Sequence, residues 1–346
     1  MNTRRKNDSD EMPRQAFSPE RQKLAQMQSL SLEEKIVATK RRIREWYEHF
    51  EGQVYVSFSG GADSTVLLDL VRQDYPDVEA VFTNTGLEYP EIVKHVKQHE
   101  NVKIIRPKMS FKEVLKKYGY PVVSKEVSTY VCELRETKSE RLRNIRLCGS
   151  INGSFKLPDK WRFLLDAPFK ISSSCCKVLK KAPMESYQRA SGKKAFVGVQ
   201  AEESRLRLNS YIRYSCNAFN LKIPQSRPMM FWRKNDILQY LRLTGTAYCR
   251  EIYGDIVERA DGSMEFTRAD RTGCTFCLFG CHMDRGLNRI QRLKSTHPQL
   301  WRYVIDELGF KDVMTYLGLP YDTDGEIFKG ISNPGKEGRD EFEQST

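Results

Sequence analysis

The sequence predicts an α/β fold in which a parallel sheet carries helices on both faces and is followed by a cysteine-rich, mainly helical C-terminal part. The main observation is the stretch 54–70, where β-forming residues precede Gly60 and Gly61 and apolar residues then recur at helical spacing. Strand-like and helix-like segments alternate after it, which is typical of right-handed βαβ units. The second observation is that three of nine cysteines lie within the eight residues 274–281.

The predicted elements follow in chain order. A capping box of Ser31 and Glu34 predicts the start of an amphipathic helix. Strands are predicted at 54–58, 78–84, 102–105 and 195–200. Helices are predicted at 30–50, 65–70, 110–118, 125–144, 228–241, 288–296, 297–308 and 311–317, and one more follows Glu91 and ends at 99. Polar tails without structure are predicted at 1–30 and 322–346. The predicted domain spans 31–250 with an insertion at about 121–174, and a cysteine-cluster and helical region spans 251–321.

Composition narrows the classes of function. The chain has 346 residues and a net charge of +12, so its surface attracts phosphates of nucleotides or nucleic acids. No stretch approaches the ~18 consecutive apolar residues of a membrane span, and the first residues lack a signal-type apolar segment. We therefore expect a cytoplasmic protein without a membrane partner. Because thiols stay reduced there, clustered cysteines are expected to bind metal or to be catalytic.

The loop after the first strand is a candidate phosphate site. Glycines let the backbone approach a ligand closely, and the N–H groups at the start of the next helix favour an anion. The loop residues are Ser59, Gly60, Gly61, Asp63 and Ser64. No lysine follows the second glycine, so the charge must be compensated by backbone N–H groups, hydroxyls, a metal or distant basic residues. An ordinary capped strand-to-helix turn is the alternative.

Ser59-Gly-Gly-Ala-Asp-Ser64 resembles the S-G-G-x-D-S pyrophosphate loop of the ATP pyrophosphatase superfamily. This resemblance implies a Rossmann-like sheet of the adenine nucleotide alpha-hydrolase type. It also implies that the loop holds the pyrophosphate released from ATP, with Mg²⁺ held through Asp63.

Further motifs resemble the sulfonucleotide (PAPS) reductase family. They are T-G-x-x-x-P-E beginning at Thr85 and Gly86, G-x-x-x-x-x-S-x-x-R matched by Gly198, Ser204 and Arg207, and W-x-x-x-D-I/V-x-x-Y-L/I beginning at Trp232. Guanidinium groups of Arg205 and Arg207 are expected to clamp phosphate or sulfate and to neutralise developing charge. A surface helix start is the alternative for this segment.

The cysteines form two clusters with metal-ligand spacing. Cys274 and Cys277 form a C-x-x-C turn, Cys281 and His282 follow it, and Cys175 and Cys176 are adjacent earlier in the chain. Soft thiolates suit both zinc and iron–sulfur, so a Cys3His zinc site from residues 274, 277, 281 and 282 stays open.

The Cys-Cys pair lies in a segment that resembles the C-C-x-x-x-K-x-x-P element of iron–sulfur PAPS and APS reductases. The resemblance implies a [4Fe–4S] cluster. Its ligands would be Cys176, Cys274 and Cys277, with Cys175 or Cys281 as the fourth. Cysteines 132, 148, 216 and 249 are predicted to be ordinary core or surface thiols.

The function predicted from these resemblances is ATP-dependent sulfur transfer. The C-terminal nucleophilic cysteine of thioredoxin-dependent reductases is absent, and the loop is intact. In combining an intact pyrophosphate loop with a cysteine cluster, the chain most resembles the ATP-dependent component of DNA phosphorothioation systems. ATP would adenylylate a DNA or tRNA acceptor, with a cysteine desulfurase or another protein as sulfur donor. The alternatives are a sulfonucleotide reductase, an ATP sulfurylase subunit, and a zinc-stapled nucleic-acid-binding module without turnover.

One segment is a candidate nucleic-acid surface. From Arg205 to Arg250 there are nine Lys or Arg against a single acid, Asp236, interleaved with seven aromatic residues. Positive charge with aromatic side chains is how proteins follow a nucleic-acid backbone and stack bases. Part of this segment is also expected to form core.

Overall fold

The computed structural model describes residues 18–284 and 286–323. The strands are β1 (Val54–Ser57), β2 (Ala80–Thr83), β3 (Val102–Ile105), β4 (Val122–Val123), β5 (Lys194–Val197), β6 (Asn217–Ala218), β7 (Gln225–Ser226), β8 (Ile256–Glu258), β9 (Met264–Phe266) and β10 (Leu278–Phe279).

The helices of the described residues differ in type. The α-helices are α1 (Pro19–Gln28), α2 (Leu32–His49), α3 (Ala62–Asp74), α4 (Pro90–Lys97), α5 (Phe111–Tyr118), α6 (Lys125–Glu136), α7 (Glu140–Cys148), α8 (Ala182–Ser191), α9 (Arg205–Tyr214), α10 (Lys234–Thr244), α11 (Arg250–Tyr253), α12 (Arg289–Thr296), α13 (Pro298–Arg302) and α14 (Phe310–Tyr316). The 3₁₀ segments are Asp159–Asp166, Ala201–Glu203 and Cys281–Met283, and the π-helical segments are Lys177–Lys181 and Tyr303–Glu307. None of the helices in this part of the chain is long and apolar enough to cross a membrane.

The main sheet has the strand order β3-β2-β1-β5-β7-β6. β1, β5 and β7 are parallel, and the register places Val56 beside Phe196 and Phe196 beside Ser226. β6 runs antiparallel to β7 at the sheet's end. The mostly parallel sheet with helices confirms the predicted α/β class. Since the carboxyl ends of parallel strands share one edge, the loops after β1 and β5 leave the sheet on the same side.

Three predictions about helices need correction. The helix predicted at 228–241 begins only at Lys234, because residues 228–231 form turns. The predicted helix 125–144 is interrupted, because Ser139 caps a new helix by accepting from the N–H of Leu142 at 3.3 Å. Residues 19–28 form α1, although a polar tail was predicted there, because Pro19 suits the first helical turn and Leu24 is buried. Most of the second predicted tail, like residues 1–17, lies outside the described residues.

The chain divides into two compact units. Of the described residues, unit 1 contains 18–80, 193–248 and 255–267. Its core contains strand residues such as Val56 and Phe196 and the helical residues Ile43 and Trp46, all buried. The antiparallel pair β8 and β9 also belongs to unit 1.

Of the described residues, unit 2 contains 81–192, 249–254, 268–284 and 286–323. A single hydrophobic core joins α5, α6 and the C-terminal helices, and it includes Cys175 and Cys281. β4 pairs in parallel with β10, which places Phe279 beside Val123. Val123 has φ of +60°, a rare and strained conformation for a β-branched residue. Its carbonyl accepts from the N–H of Gly280, the residue before Cys281.

A buried ion pair joins α2 to α10 within unit 1. Lys35 Nζ donates to both carboxylate oxygens of Asp236, at 2.9 and 2.8 Å. The two side chains are 3% and 10% exposed. Removing one partner would therefore leave a buried charge uncompensated.

We expect Asp236→Asn to lower the free energy of unfolding by about 3 kcal/mol, measured by urea denaturation. Asp74→Asn is the matched control, because its ion pair with Lys40 is only part-buried, with both side chains 28% exposed. That change is expected to cost less than about 1 kcal/mol. Equal losses in the two variants would show that the burial of the Lys35 pair does not matter.

Candidate functional site

The predicted phosphate loop forms a hydrogen-bonded turn at the start of α3. Ser64 Oγ accepts from the N–H of Ser59 at 3.1 Å and lies 3.0 Å from Ser59 Oγ. It also donates to the carbonyl of Gly61 at 2.9 Å. Gly60 has φ of +72°, a conformation that favours glycine. The loop is thus shaped by its two serines, and the helix N-terminus that follows presents N–H groups suited to an anion.

The carboxylate of Asp63 is held by a residue of the segment that follows β5. Gln200 Nε2 donates to Asp63 Oδ1 at 3.0 Å, and Gln200 itself is buried. The backbone at Gly198 approaches the backbone of Asp63 closely, and a Cβ on Gly198 would lie 2.9 Å from the carbonyl oxygen of Asp63. Only glycine fits at position 198 without moving this backbone. The carboxylate of Asp63 is therefore oriented by the segment that follows β5.

The basic element after β5 is partly neutralised. Ser204 caps α9 by accepting from the N–H of Arg207 at 3.3 Å. Arg207 forms an ion pair with Glu203, whose carboxylate also accepts from the N–H of Gln200 at 2.8 Å. Arg205 is exposed at the first position of α9. The structure therefore places Ser204, Arg205 and Arg207 on one turn, and a chain of contacts from Glu203 through Gln200 reaches Asp63.

The Thr85–Gly86 turn belongs to unit 2. Glu88 accepts from the N–H of Thr85 at 2.9 Å and from its hydroxyl at 2.7 Å, and Gly86 has φ of +75°. The carbonyl of Leu87 accepts from both the N–H and the hydroxyl of Thr275, at 2.9 and 3.0 Å. The turn is therefore bonded directly to the loop that carries Cys274 and Cys277.

The two cysteine clusters come together in unit 2. Cys175 and Cys176 lie just before the π-helical turn Lys177–Lys181, and π-helical turns are frequent at functional sites. The Cys175 thiol is hydrogen-bonded to that of Cys176, and it interacts electrostatically with Cys277 and Cys274. Cys274 and Cys277 in turn interact with Cys176. Four thiols from two distant parts of the sequence thus lie close to one another.

Lys180 lies against this group of thiols. It is hydrogen-bonded to Cys274 and interacts electrostatically with Glu88 and Cys176. Burial opposes its charge, yet Cys274 and Glu88 raise its pKa overall. A partly buried ammonium at this place offsets negative charge on the thiols and connects them to Glu88 of the Thr85–Gly86 turn.

The thiols differ in acidity. The hydrogen bond from Cys175, helped by Lys125 and Lys180, lowers the pKa of Cys176 to about 5 against the effect of burial. The same hydrogen bond and burial raise the pKa of Cys175. Burial raises the pKa of Cys274, and it raises that of Cys277 to about 11. Cys176 is thus the most acidic of the four thiols.

Cys281 and His282 have a different environment. The Cys281 thiol interacts with Cys277, but its other charged neighbours are Arg289, Asp284 and Arg292, and burial raises its pKa to about 12. His282 packs edge-on against Trp161, with ring centroids 5.1 Å apart. Its Nδ1 is buried without a hydrogen-bond partner. Within residues 18–284 and 286–323, no three His, Cys, Asp or Glu side chains are placed to hold one metal ion.

The aromatic residues of the basic segment 205–250 are largely core. The buried members are Tyr211, Phe231, Trp232 and Tyr240. Trp232 Nε1 donates to Thr39 at 2.8 Å, so its ring is fixed inside unit 1. These four rings are not available to stack bases, which leaves the nucleic-acid surface predicted for this segment with its charges and the partly exposed Tyr214, Phe219 and Tyr248.

Some candidate functional residues were not predicted from the sequence. Gln200, Glu88 and Arg289 lie beside predicted site residues but carry no motif of their own. Gln200 stands directly after a predicted strand, the usual place for a ligand-edge side chain, so its position was a usable signal. Glu88 and Arg289 become apparent only when the chain is folded.

A family model described as the phosphoadenosine phosphosulfate reductase domain matches residues 53–255. The match covers more than half of the chain and includes the phosphate loop, the Thr85–Gly86 turn and the Cys-Cys pair. The chain therefore belongs to the phosphoadenosine phosphosulfate reductase family, within the superfamily of proteins with a pyrophosphate loop.

The proteins similar to this chain include an uncharacterized protein and two sulfonucleotide reductases. An uncharacterized protein of Methanocaldococcus jannaschii is 27% identical over 274 residues, which are 75% of this chain and 42% of that protein. An adenosine 5'-phosphosulfate reductase of Staphylococcus epidermidis is 32% identical over 103 residues, 28% of this chain and 42% of that enzyme. The chain thus spans less than half the length of these two relatives. A phosphate complex of PAPS reductase from Candida auris has a TM-score of 0.34 at 15% identity, covering 68% of this chain and 90% of that one.

Proposed function

We propose that this chain is an ATP pyrophosphatase of the phosphoadenosine phosphosulfate reductase family that activates an acceptor for sulfur transfer. Family membership supports an enzyme that handles an adenine nucleotide. The observation that carries the finer proposal is the intact Ser59–Ser64 loop, in which both serine hydroxyls and the oriented Asp63 carboxylate surround the start of α3. Such a loop suits the pyrophosphate of ATP, which a sulfonucleotide does not contain.

In the proposed reaction an oxygen of the acceptor attacks the α-phosphorus of ATP. The acceptor oxygen–phosphorus bond forms, the bond to the β-phosphate breaks, and pyrophosphate leaves on residues 59–64 with Mg²⁺ held through Asp63. The terminal sulfur of a donor protein's persulfide, such as that of a cysteine desulfurase, then attacks the adenylylated acceptor, and AMP leaves with the oxygen that it had activated. The resulting acceptor–S–S–donor disulfide is reduced by a thiol reductant, which releases the thio product and the donor cysteine. Arg205 is the exposed guanidinium of the basic element, so it is better placed than the paired Arg207 to meet phosphate charge.

We further propose that Cys175, Cys176, Cys274 and Cys277 hold a [4Fe–4S] cluster. Four mutually close thiols with Lys180, Lys125 and Arg289 nearby fit the donor set and the negative charge of such a cluster. Because each thiolate would bind a different iron, the ligands need not converge on one point. Bound there, the cluster would supply iron-based sulfur or electron chemistry to the acceptor.

Two alternatives have an observation in their favour. The named relatives include an adenosine 5'-phosphosulfate reductase, which favours a sulfonucleotide reductase. For a zinc-stapled nucleic-acid-binding module, the unpartnered Nδ1 of His282 offers a ligand atom beside Cys281. Against it, no three such side chains of the described residues are placed to hold one metal ion. The acceptor in our proposal is DNA, as in phosphorothioation systems, or tRNA.

Protein purified without oxygen is expected to contain about four irons and four acid-labile sulfides per chain, as a [4Fe–4S] centre requires. It is also expected to release pyrophosphate from ATP when tRNA or duplex DNA is present. One zinc without sulfide would contradict the cluster. Tight binding of phosphoadenosine phosphosulfate without pyrophosphate release from ATP would instead identify a reductase.

A further inference from the structure

Unit 2 contains a groove that none of the predicted sites uses. Its volume is about 530 Å³, and it lies between α5, Lys170 and the turn 306–309. This volume is in the range of pockets that bind small molecules or single nucleotides. The groove therefore has room for a ligand of that size.

The groove has a fixed shape. Tyr120 donates from its hydroxyl to the carbonyl of Leu308 at 2.8 Å, and its N–H donates to the carbonyl of Lys170 at 2.8 Å. A Cβ on Gly119 would lie 2.2 Å from the backbone of Lys170, and one on Gly309 would lie 2.9 Å from the hydroxyl of Tyr120. Both glycines also have positive φ. The groove is thus built from closely packed backbone rather than from flexible side chains.

One wall of the groove is basic. Lys112 and Lys116 are exposed one turn apart on α5, and Lys170 is exposed beside them. Lys112 forms an exposed ion pair with Glu307 at 3.5 Å. In the described part of the chain no ion pair within 4.0 Å involves Lys116, Lys170 or Asp306. Two ammonium groups of the basic wall are therefore available to an anion.

Further exposed basic residues precede and follow the groove lysines of α5 in the sequence. The segment 103–117 presents six exposed Lys or Arg side chains and one acid, Glu113. The carboxylate of Glu113 accepts from the N–H and the hydroxyl of Ser110, at 2.6 and 2.8 Å. The six basic residues are Lys103, Arg106, Lys108, Lys112, Lys116 and Lys117. Positive charge spread over a strand, a loop and a helix matches an extended polyanion better than a single small anion.

We propose that this groove and the segment 103–117 bind the phosphate backbone of a nucleic-acid strand. A positively charged groove that follows the backbone is the usual way to bind single strands without reading their sequence. Asp306 and Glu307 on the opposite wall repel phosphate, so they would confine the backbone to the α5 side. The inference rests on the proposed function, because it assigns the nucleic-acid acceptor a docking surface in unit 2.

The test is fluorescence anisotropy of the full-length protein with a labelled 20-nucleotide single strand, of DNA or RNA, over a range of salt concentrations. The variant carries Lys112→Gln, Lys116→Gln and Lys170→Gln. Because Lys112 is paired with Glu307, two lost phosphate contacts are expected to reduce the slope of log K against log salt by about 1.4 and to weaken binding at least about tenfold at ~0.1 M salt. The control carries Lys23→Gln, Lys97→Gln and Lys138→Gln, exposed lysines that remove the same charge. The control is expected to keep the native slope.

The possible outcomes distinguish the proposed groove from a general charge effect, an acidic protein partner and a small-molecule acceptor. Equal losses in the two triple variants would overturn the groove and leave only a general charge effect, while pyrophosphate release could still support the proposed function. Tight binding of poly-glutamate that is lost in the groove variant would identify an acidic protein as the partner instead. Pyrophosphate release with a small-molecule acceptor and no strand binding would overturn the nucleic-acid assignment alone.

Discussion

Asp63→Asn is expected to lower pyrophosphate release from ATP by about 10²–10³-fold, the usual cost of losing one charge-stabilising group at a reacting centre. The carboxylate of Asp63 lies in the first turn of α3, beside the loop proposed to hold the pyrophosphate. Asparagine keeps an oxygen that can accept from Gln200, so the local structure should persist while one negative charge is lost. If Asp63 holds Mg²⁺, a Mg²⁺ titration of the variant should also show weaker apparent metal affinity.

The control for this prediction is Asp74→Asn at the other end of the same helix. Its carboxylate pairs with Lys40 and faces no proposed ligand, so release should stay within about twofold of the native rate. Gln200→Ala should give an intermediate loss, because Asp63 would keep its charge but lose the hydrogen bond that orients it. Native rates in Asp63→Asn would remove Asp63 from the proposed mechanism.

Much of unit 1 could be predicted from the sequence because its signals are local. The capping box of Ser31 and Glu34 is present as predicted, and so is the glycine loop between β1 and α3. The short strands β6 and β7, by contrast, have only two residues each, and their place in the sheet depends on pairing with β5. A pairing between residues far apart in the chain leaves no periodic signal in a short segment.

In the candidate site, too, some features could be predicted from the sequence and others could not. The spacing of Cys274 and Cys277 pointed to a metal centre, and resemblance alone connected it with the Cys-Cys pair a hundred residues earlier. The break in the predicted helix 125–144 was missed although it had a local signal, because Ser139 is a residue type typical of N-caps and caps the helix that begins at Glu140. The neutralisation of Arg207 by Glu203 also could not be predicted, since a motif specifies residue types and not their ion pairs.

Cys176→Ser is expected to remove most of the iron and sulfide from the protein. Cys176 interacts with Cys175, Cys274 and Cys277, so its thiol belongs to the proposed set of ligands. A serine hydroxyl is a much poorer ligand for a soft metal centre. The measurement is iron and acid-labile sulfide per chain together with the visible spectrum, made on protein purified without oxygen. Cys148→Ser, which changes an exposed thiol, should keep the native content.

The comparison of Cys175→Ser with Cys281→Ser then decides the fourth ligand. Cys175 interacts with three of the proposed ligand thiols, whereas Cys281 interacts with Cys277 and otherwise lies among Arg289, Asp284 and Arg292. We therefore expect Cys175→Ser to lose iron as Cys176→Ser does, and Cys281→Ser to keep about four irons per chain. The reverse result would place Cys281 in the cluster. Loss of zinc rather than iron in Cys281→Ser and in His282→Ala would instead establish the zinc site and contradict the cluster.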